Sequence, residues 1–208
     1  MTDNTNNNII NGVDIAEWHR KSGRVTEWLT ISGDLPFDLG LALAQLEEWE
    51  KAHITHIIDV RGEWSDEELV RTHAPGIGYT YLGTHDNGGA QSDAWFHAGI
   101  EAAHKARAFR EDPMLMVHCH MVINRGPSMA YAMLLDAGYD VVEALDMIRK
   151  ARPIAGIIYA IDAVRAVGRL HDRSQADIEK DMDRVDAWFR TNRIDIKNII
   201  RRIREQGE

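Results

Sequence analysis

The chain has 208 residues, 44% of them hydrophobic, a formal net charge of −9 and one cysteine, Cys119. That length supports one well-buried core with an added terminal segment, and the acidic balance disfavours a broad nucleic-acid or anionic-membrane surface. A lone cysteine excludes an internal disulfide framework, and no run approaches the ~18 apolar residues of a membrane span; with no basic, apolar leader at the start, a cytoplasmic protein is expected.

Residues 1–12 are polar and Asn-rich and read as a disordered lead-in to a domain over 13–170. Trp28–Ser32 has strand character, Leu39–Ala52 has helical periodicity, and Ile54–Val60 is a β-branched run of buried-strand type. A charged stretch, Arg61–Arg71, precedes a strand at Tyr79–Leu82, and Gly83–Asp93 reads as a loop. Trp95, Gly99, Ala102, Ala106 and Phe109 form one helical stripe expected to pack in the core, with Asp93 as N-cap; Met114–Val117 is a short apolar strand.

After Arg125 the pattern turns helical. Pro127 suits a first turn, Gly138 a stop, and Asp140 with Glu143 a capping box for a helix ending near Arg152-Pro153. Ala155–Gly168 reads as a further helix. Alternating strands and helices predict an α/β fold of three-layer type, with a central, mainly parallel sheet flanked by helices. Residues 171–208 are strongly charged with apolar residues at helical intervals, and are expected to form an amphipathic helical extension that packs on the core or mediates self-association. The ten histidines are scattered, and His118-Cys119-His120 lacks zinc-site spacing, so no metal is expected.

The segment that carries chemistry is Val117-His-Cys-His-Met-Val-Ile-Asn-Arg-Gly-Pro127. Five residues, His120, Met121, Val122, Ile123 and Asn124, separate Cys119 from Arg125 between a strand end and a helix start. Such a turn aims backbone N–H groups at one point, and the helix dipole adds positive potential. The Arg125 fork matches two phosphate oxygens, and a cysteine at the lip is expected to ionise as a thiolate.

His118-Cys119-x5-Arg125 resembles the signature of the cysteine-based protein tyrosine phosphatases, and the chain from Trp28 to Val167 resembles their dual-specificity branch. The likeness includes Ile54–Val60, Tyr81-Leu82-Gly83 with an Asp-bearing loop, Trp95-Phe96 opening a helix, and Glu143-Ala-Leu with Arg152-Pro153. It implies a nucleophile at Cys119, phosphate binding by Arg125 and the amides of residues 120–125, and a general acid on a separate loop. Asp86 is the expected acid, with Asp93 and His85 as competitors; His118 is expected to orient the loop by hydrogen bonds, with Ser128 in support. No cofactor or metal is implied, and the expected substrate is a phosphorylated protein or peptide.

Two positions depart from the pattern. Many relatives have Gly at the position of Val122, where a positive φ would make a β-branched residue costly. Gly126 stands where relatives commonly carry a Ser or Thr hydroxyl that assists the sulfur, so slow turnover is expected. Asn124-Arg125 also resembles the loop of RNA 5′-phosphatases of the same superfamily. A weakly active phosphate-binding pseudophosphatase is the reading from another class.

Overall fold

Three apolar runs become the centre of the sheet. In the computed structural model these are β4 (Leu29–Ser32), β5 (His56–Arg61) and β7 (Leu115–His118), flanked by β3 (Gly23–Arg24) and β6 (Gly78–Thr84) in the order β3-β4-β7-β5-β6. Only β3 and β4 pair antiparallel; every other neighbour is parallel. The structure describes residues 20–205, together with the backbone of a two-stranded pair, β1 (Ile9–Ile10) and β2 (Val13–Asp14). The disordered lead-in expected over 1–12 lies outside the described residues except at Ile9–Ile10.

Alternation along the strands divides the core into two layers. On one face Ile57 and Met116 meet Leu46, Trp49 and Val70 from α1 (Leu39–Lys51) and α2 (Glu67–His73). On the other, Ile31, Ile58 and Val117 meet α3 (Asp93–Ala108), α4 (Arg125–Asp136), α5 (Val141–Ala151) and α6 (Ala160–Leu170). The three-layer α/β expectation holds.

Local differences have local causes. The charged stretch after β5 runs into α2, because Val70 is buried and Leu69 packs partly against the same layer, anchoring an otherwise polar helix. The α3 stripe is displaced: Phe96, Gly99, Ile100, Ala103 and Ala106 are buried, whereas Phe109 lies beyond the helix end and is 86% exposed. Ser92, not Asp93, caps α3 by accepting from the Trp95 N–H; Asp93 instead pairs with Arg169 at 2.8 Å. Residues 155–159 are irregular rather than helical, with Ile157 at φ +51°, so α6 begins at Ala160.

The C-terminal helices α7 (Gln175–Thr191) and α8 (Ile196–Glu205) pack on this chain's own core. α7 buries Ile178, Val185 and Trp188 in the α3–α6 layer. α8 buries Ile199 and Ile203 against Met121, Ile123 and Ile154, which sets it directly over the turn that follows β7. Among the described residues no helix is long and apolar enough to cross a membrane.

Candidate active site

β7 ends at His118 and α4 begins at Arg125, so Cys119–Asn124 form the turn at the carboxyl end of a central parallel strand, where ligands of open α/β sheets bind. Four successive carbonyls of this turn are engaged on its outer side. The His120 carbonyl accepts from the Asp34 N–H (3.3 Å), and those of Met121 and Val122 accept from Arg152 Nη2 and Nε (2.9 Å each). The Ile123 carbonyl accepts from the N–H groups of Gly156 and Ile157. Because the peptide unit is planar and trans, each such carbonyl turns the following N–H the opposite way, toward the concave side. Gly126 N–H donates to Cys119 Sγ (3.4 Å), and the Val122 N–H also favours the sulfur's anion.

This pattern puts Val122 in the left-handed region, at φ +48°, with its side chain fully buried. The conformation a glycine would favour is therefore adopted by a β-branched residue, at a cost of about 1–3 kcal/mol. Arg152 opposes that cost. Its guanidinium is fully buried, bridges the Met121 and Val122 carbonyls, and also donates to the Lys21 carbonyl (2.8 Å). Burial lowers its pKa to about 10, which leaves it charged at neutral pH.

Arg125 is gripped at one end and lacks a hydrogen-bond partner at its Nε edge. Nη1 and Nη2 donate to the two oxygens of Glu63 (2.8 and 2.7 Å), and Nη1 also donates to the Thr84 carbonyl (2.7 Å). Its buried Nε has no hydrogen-bond partner and lies 3.8 Å from Asp86 Oδ2. Burial opposes ionisation of Glu63, but the hydrogen bonds and charge of Arg125 outweigh it and hold the carboxyl below its usual value. Gly62 is required here: a Cβ would sit 2.6 Å from the Thr84 carbonyl oxygen, so only glycine lets the two strand ends close up behind Arg125.

Asp86 reaches the same place from the loop after β6. Its Oδ1 accepts from Asn124 Nδ2 (2.8 Å) and from the Tyr159 hydroxyl (2.6 Å). Burial, then Asp86, pushes the Tyr159 hydroxyl up to about 12, so it stays a donor. Asn124 Oδ1 in turn accepts from Ile158 N–H (2.7 Å) and Ser128 Oγ (3.2 Å). Ser128 thus supports the loop through Asn124.

Cys119, Arg125, Asp86, Glu63, His120, Met121, Ile123 and Asn124 line one cleft of about 210 Å³, whose remaining wall is Ile158 with Ile196, Ile200 and Arg204 of α8. His85 and Asp93 do not line it, and the Val122 side chain points into the core. His118 differs from expectation: it is fully buried between the Trp49 and Tyr79 rings, and neither ring nitrogen makes a hydrogen bond, its Nε2 lying 3.7 Å from Asp59. Burial pushes its pKa down, so a neutral ring packs beneath the loop. Among the described residues no cluster of three or more His, Cys, Asp or Glu side chains is placed to hold a metal ion.

Sequence reasoning missed Glu63, Tyr159 and the α8 residues, and took Arg152 as a helix end and part of the family likeness without a role at the site. It also missed the buried cluster beneath the site, where Arg61 binds Asp34 (3.3 Å), Asp59 (3.0 Å) and Asp66 (2.8 Å), while His120 Nδ1 sits 2.7 Å from Asp34. A signal existed for Glu63: it follows the carboxyl end of β5, beside the nucleophile's own strand.

The thiolate expected at Cys119 is not favoured in this arrangement. The residue is 2% exposed, and burial pushes its thiol up; Arg125 and the Gly126 and Val122 N–H groups pull it down, and Asp86 adds to the rise. Removing that last charge has a definite sign. Asp86→Asn should move the pH midpoint of Cys119 alkylation by iodoacetamide to lower pH; a midpoint that stays or rises contradicts this electrostatic account.

A second expectation concerns the strained residue. At ordinary buried positions Gly is less stable than Ala by roughly 0.5–1 kcal/mol. At φ +48° the order should invert, Val122→Gly exceeding Val122→Ala by about 1 kcal/mol in urea unfolding.

No protein-family model and no curated protein matches the sequence. Solved structures do resemble the fold. A mouse putative dual specificity phosphatase complexed with zinc tungstate is similar at TM-score 0.59 and 19% identity, covering 73% of this chain and 89% of its own. Human DUSP28 gives 0.58 and 18%, covering 72% and 95%, and PTPMT1 gives 0.55 and 18%, covering 74% and 100%. With the turn after β7 and its partners placed as above, the chain has the fold of the dual-specificity phosphatases, the branch that its Cys119–Arg125 motif resembles.

Proposed function

We propose that this chain hydrolyses phosphate monoesters, foremost those of phosphorylated proteins, through a cysteinyl-phosphate. The observation that carries the reading is the convergence of Cys119 Sγ, the Nε edge of Arg125, which has no hydrogen-bond partner, and the Asp86 carboxyl on one cleft floored by inward N–H groups. A tetrahedral oxyanion fits that set: its oxygens take the amide protons and the Arg125 edge, and its charge stabilises the guanidinium already held by Glu63.

In the first step the Cys119 thiol passes its proton to a phosphoryl oxygen and the sulfur forms the S–P bond while the ester P–O bond breaks, and protonated Asp86 transfers its proton to the leaving oxygen. In the second, water attacks phosphorus, its proton passes to the Asp86 carboxylate, and the S–P bond breaks to release inorganic phosphate and the thiolate. Atoms and charge balance with no cofactor. The fold likeness to phosphatases supports the reaction class. The raised thiol and the Glu63–Arg125 pair support a second reading, a phosphate-binding module of feeble turnover.

Hydrolysis of a chromogenic aryl phosphate decides between them. Vanadate-sensitive turnover lost in Cys119→Ser supports the enzyme; phosphopeptide binding without phosphate release supports the module. Asp86→Asn should slow esters of poor leaving groups about 10²-fold or more, and activated aryl esters far less. Equal losses on both would assign the proton to another group.

Gly126 offers a gain-of-function test. A Cβ there would lie 3.6 Å from Cys119 Sγ and 3.5 Å from Cys119 N, ordinary contact distances, so a serine fits. One added hydrogen bond to a charged sulfur should raise steady-state turnover roughly tenfold in Gly126→Ser and shorten the life of the phosphoenzyme. A phosphoenzyme that persists unchanged in rapid-quench measurements would contradict the role assigned to the missing hydroxyl.

A further inference from the structure

The cleft has a wall that the phosphatase-like part of the chain does not supply. α8 presents two stripes of four-residue spacing. Ile199 and Ile203 are buried on Met121, Ile123 and Ile154 and fasten the helix to the outer side of the turn. Ile196, Ile200 and Arg204 run along the neighbouring face and line the cleft opposite Glu63 and Asp86, beside Ile158, which is 48% exposed. The order along this stripe is apolar, apolar, cationic.

Ile196 and Ile200 are half-buried: both pack against the same apolar cluster and both also line the cleft. They face a volume larger than a phosphoryl group alone needs. The helix is also basic, with Lys197, Arg201, Arg202 and Arg204 against Glu205, in a chain of net charge −9. Of these cations Arg204 lines the cleft, while Arg201 and Arg202 pair with Glu205.

We propose that α8 forms the leaving-group subsite of this cleft, with Ile196 and Ile200 gripping the flat apolar group esterified to the phosphate and so selecting aryl over alkyl phosphate esters. This deepens the phosphatase reading and rests on it. The two isoleucines touch substrate without touching the reacting atoms. They set KM and the ratio between substrates, whereas Cys119, Arg125 and Asp86 set the chemical step. Arg204, one turn beyond Ile200, places the basic end of the stripe where chain flanking the phosphorylated group leaves the cleft.

The test compares phenyl phosphate with O-phosphoserine as substrates of the full chain. In Ile200→Ala the ratio of kcat/KM for phenyl phosphate over O-phosphoserine should fall about tenfold, carried by KM for the aryl ester, and Ile196→Ala should act in the same direction. Ile203→Ala removes an equal volume from the buried stripe and is the control. It should lower the unfolding midpoint and leave the ratio as it is. A ratio unchanged in both cleft-facing variants, or lowered as much by Ile203→Ala, overturns the subsite while leaving the phosphatase reading in place. Absence of vanadate-sensitive turnover of either ester in the unsubstituted chain overturns both.

Discussion

The site depends on a cation that never meets the cleft. Arg152 sits fully buried behind the turn and turns the Met121 and Val122 carbonyls toward itself. Through the planarity of the peptide unit, that single choice commits the next two N–H groups to the opposite side. Asp34 and the Gly156–Ile157 backbone extend the same logic to the carbonyls on either side. An anion cup is thus assembled from the outside, by satisfying oxygens rather than by arranging donors. The left-handed φ of Val122 is the mark of that forcing, since nothing intrinsic to valine favours it.

Charge around the cup is arranged in pairs. Glu63 holds the far end of the Arg125 fork, and Asn124 and Tyr159 hold Asp86, so each functional side chain has a partner that fixes its direction before any ligand arrives. Beneath them, Arg61 collects Asp34, Asp59 and Asp66 in a buried cluster that ties the end of β5 to His120. The same arrangement favours the neutral form of the cysteine. Positive charge shared with carboxylates offers less to the sulfur, and burial raises the thiol.

Much of this was legible from the chain. The β-branched run before Asp59 and the apolar run before His118 fixed two parallel strands, and Pro127 after Arg125 marked a helix start, so the turn between Cys119 and Arg125 followed. Asp86 was legible by its place after a strand. The departures at Val122 and Gly126 were also visible, although the sign of φ at Val122 depends on Arg152, thirty residues away, and is decided only in three dimensions. Glu63 and the buried Asp cluster were hidden in a charged stretch, because surface and buried charges read alike in one dimension. His118 was misjudged for the complementary reason: the rings of Trp49 and Tyr79 come from elsewhere and leave its nitrogens no hydrogen-bond partner. The stripe at Ile196 and Ile200 read correctly as amphipathic, but periodicity does not say which neighbour each face meets.

The Arg152 bridge has a temporal side. Its carbonyl acceptors belong to Lys21, near one end of the chain, and to Met121 and Val122, while the guanidinium itself arrives at the end of α5, 131 residues after Lys21. Contacts so remote in sequence close late, after local helices and strand pairs have formed. During synthesis the reactive cysteine is made some thirty residues before the side chain that shapes its surroundings, so a nascent or half-folded chain exposes an ordinary thiol on a shapeless segment. A chain cut short of Arg152, by interrupted translation or by proteolysis, lacks the contact that turns these carbonyls outward.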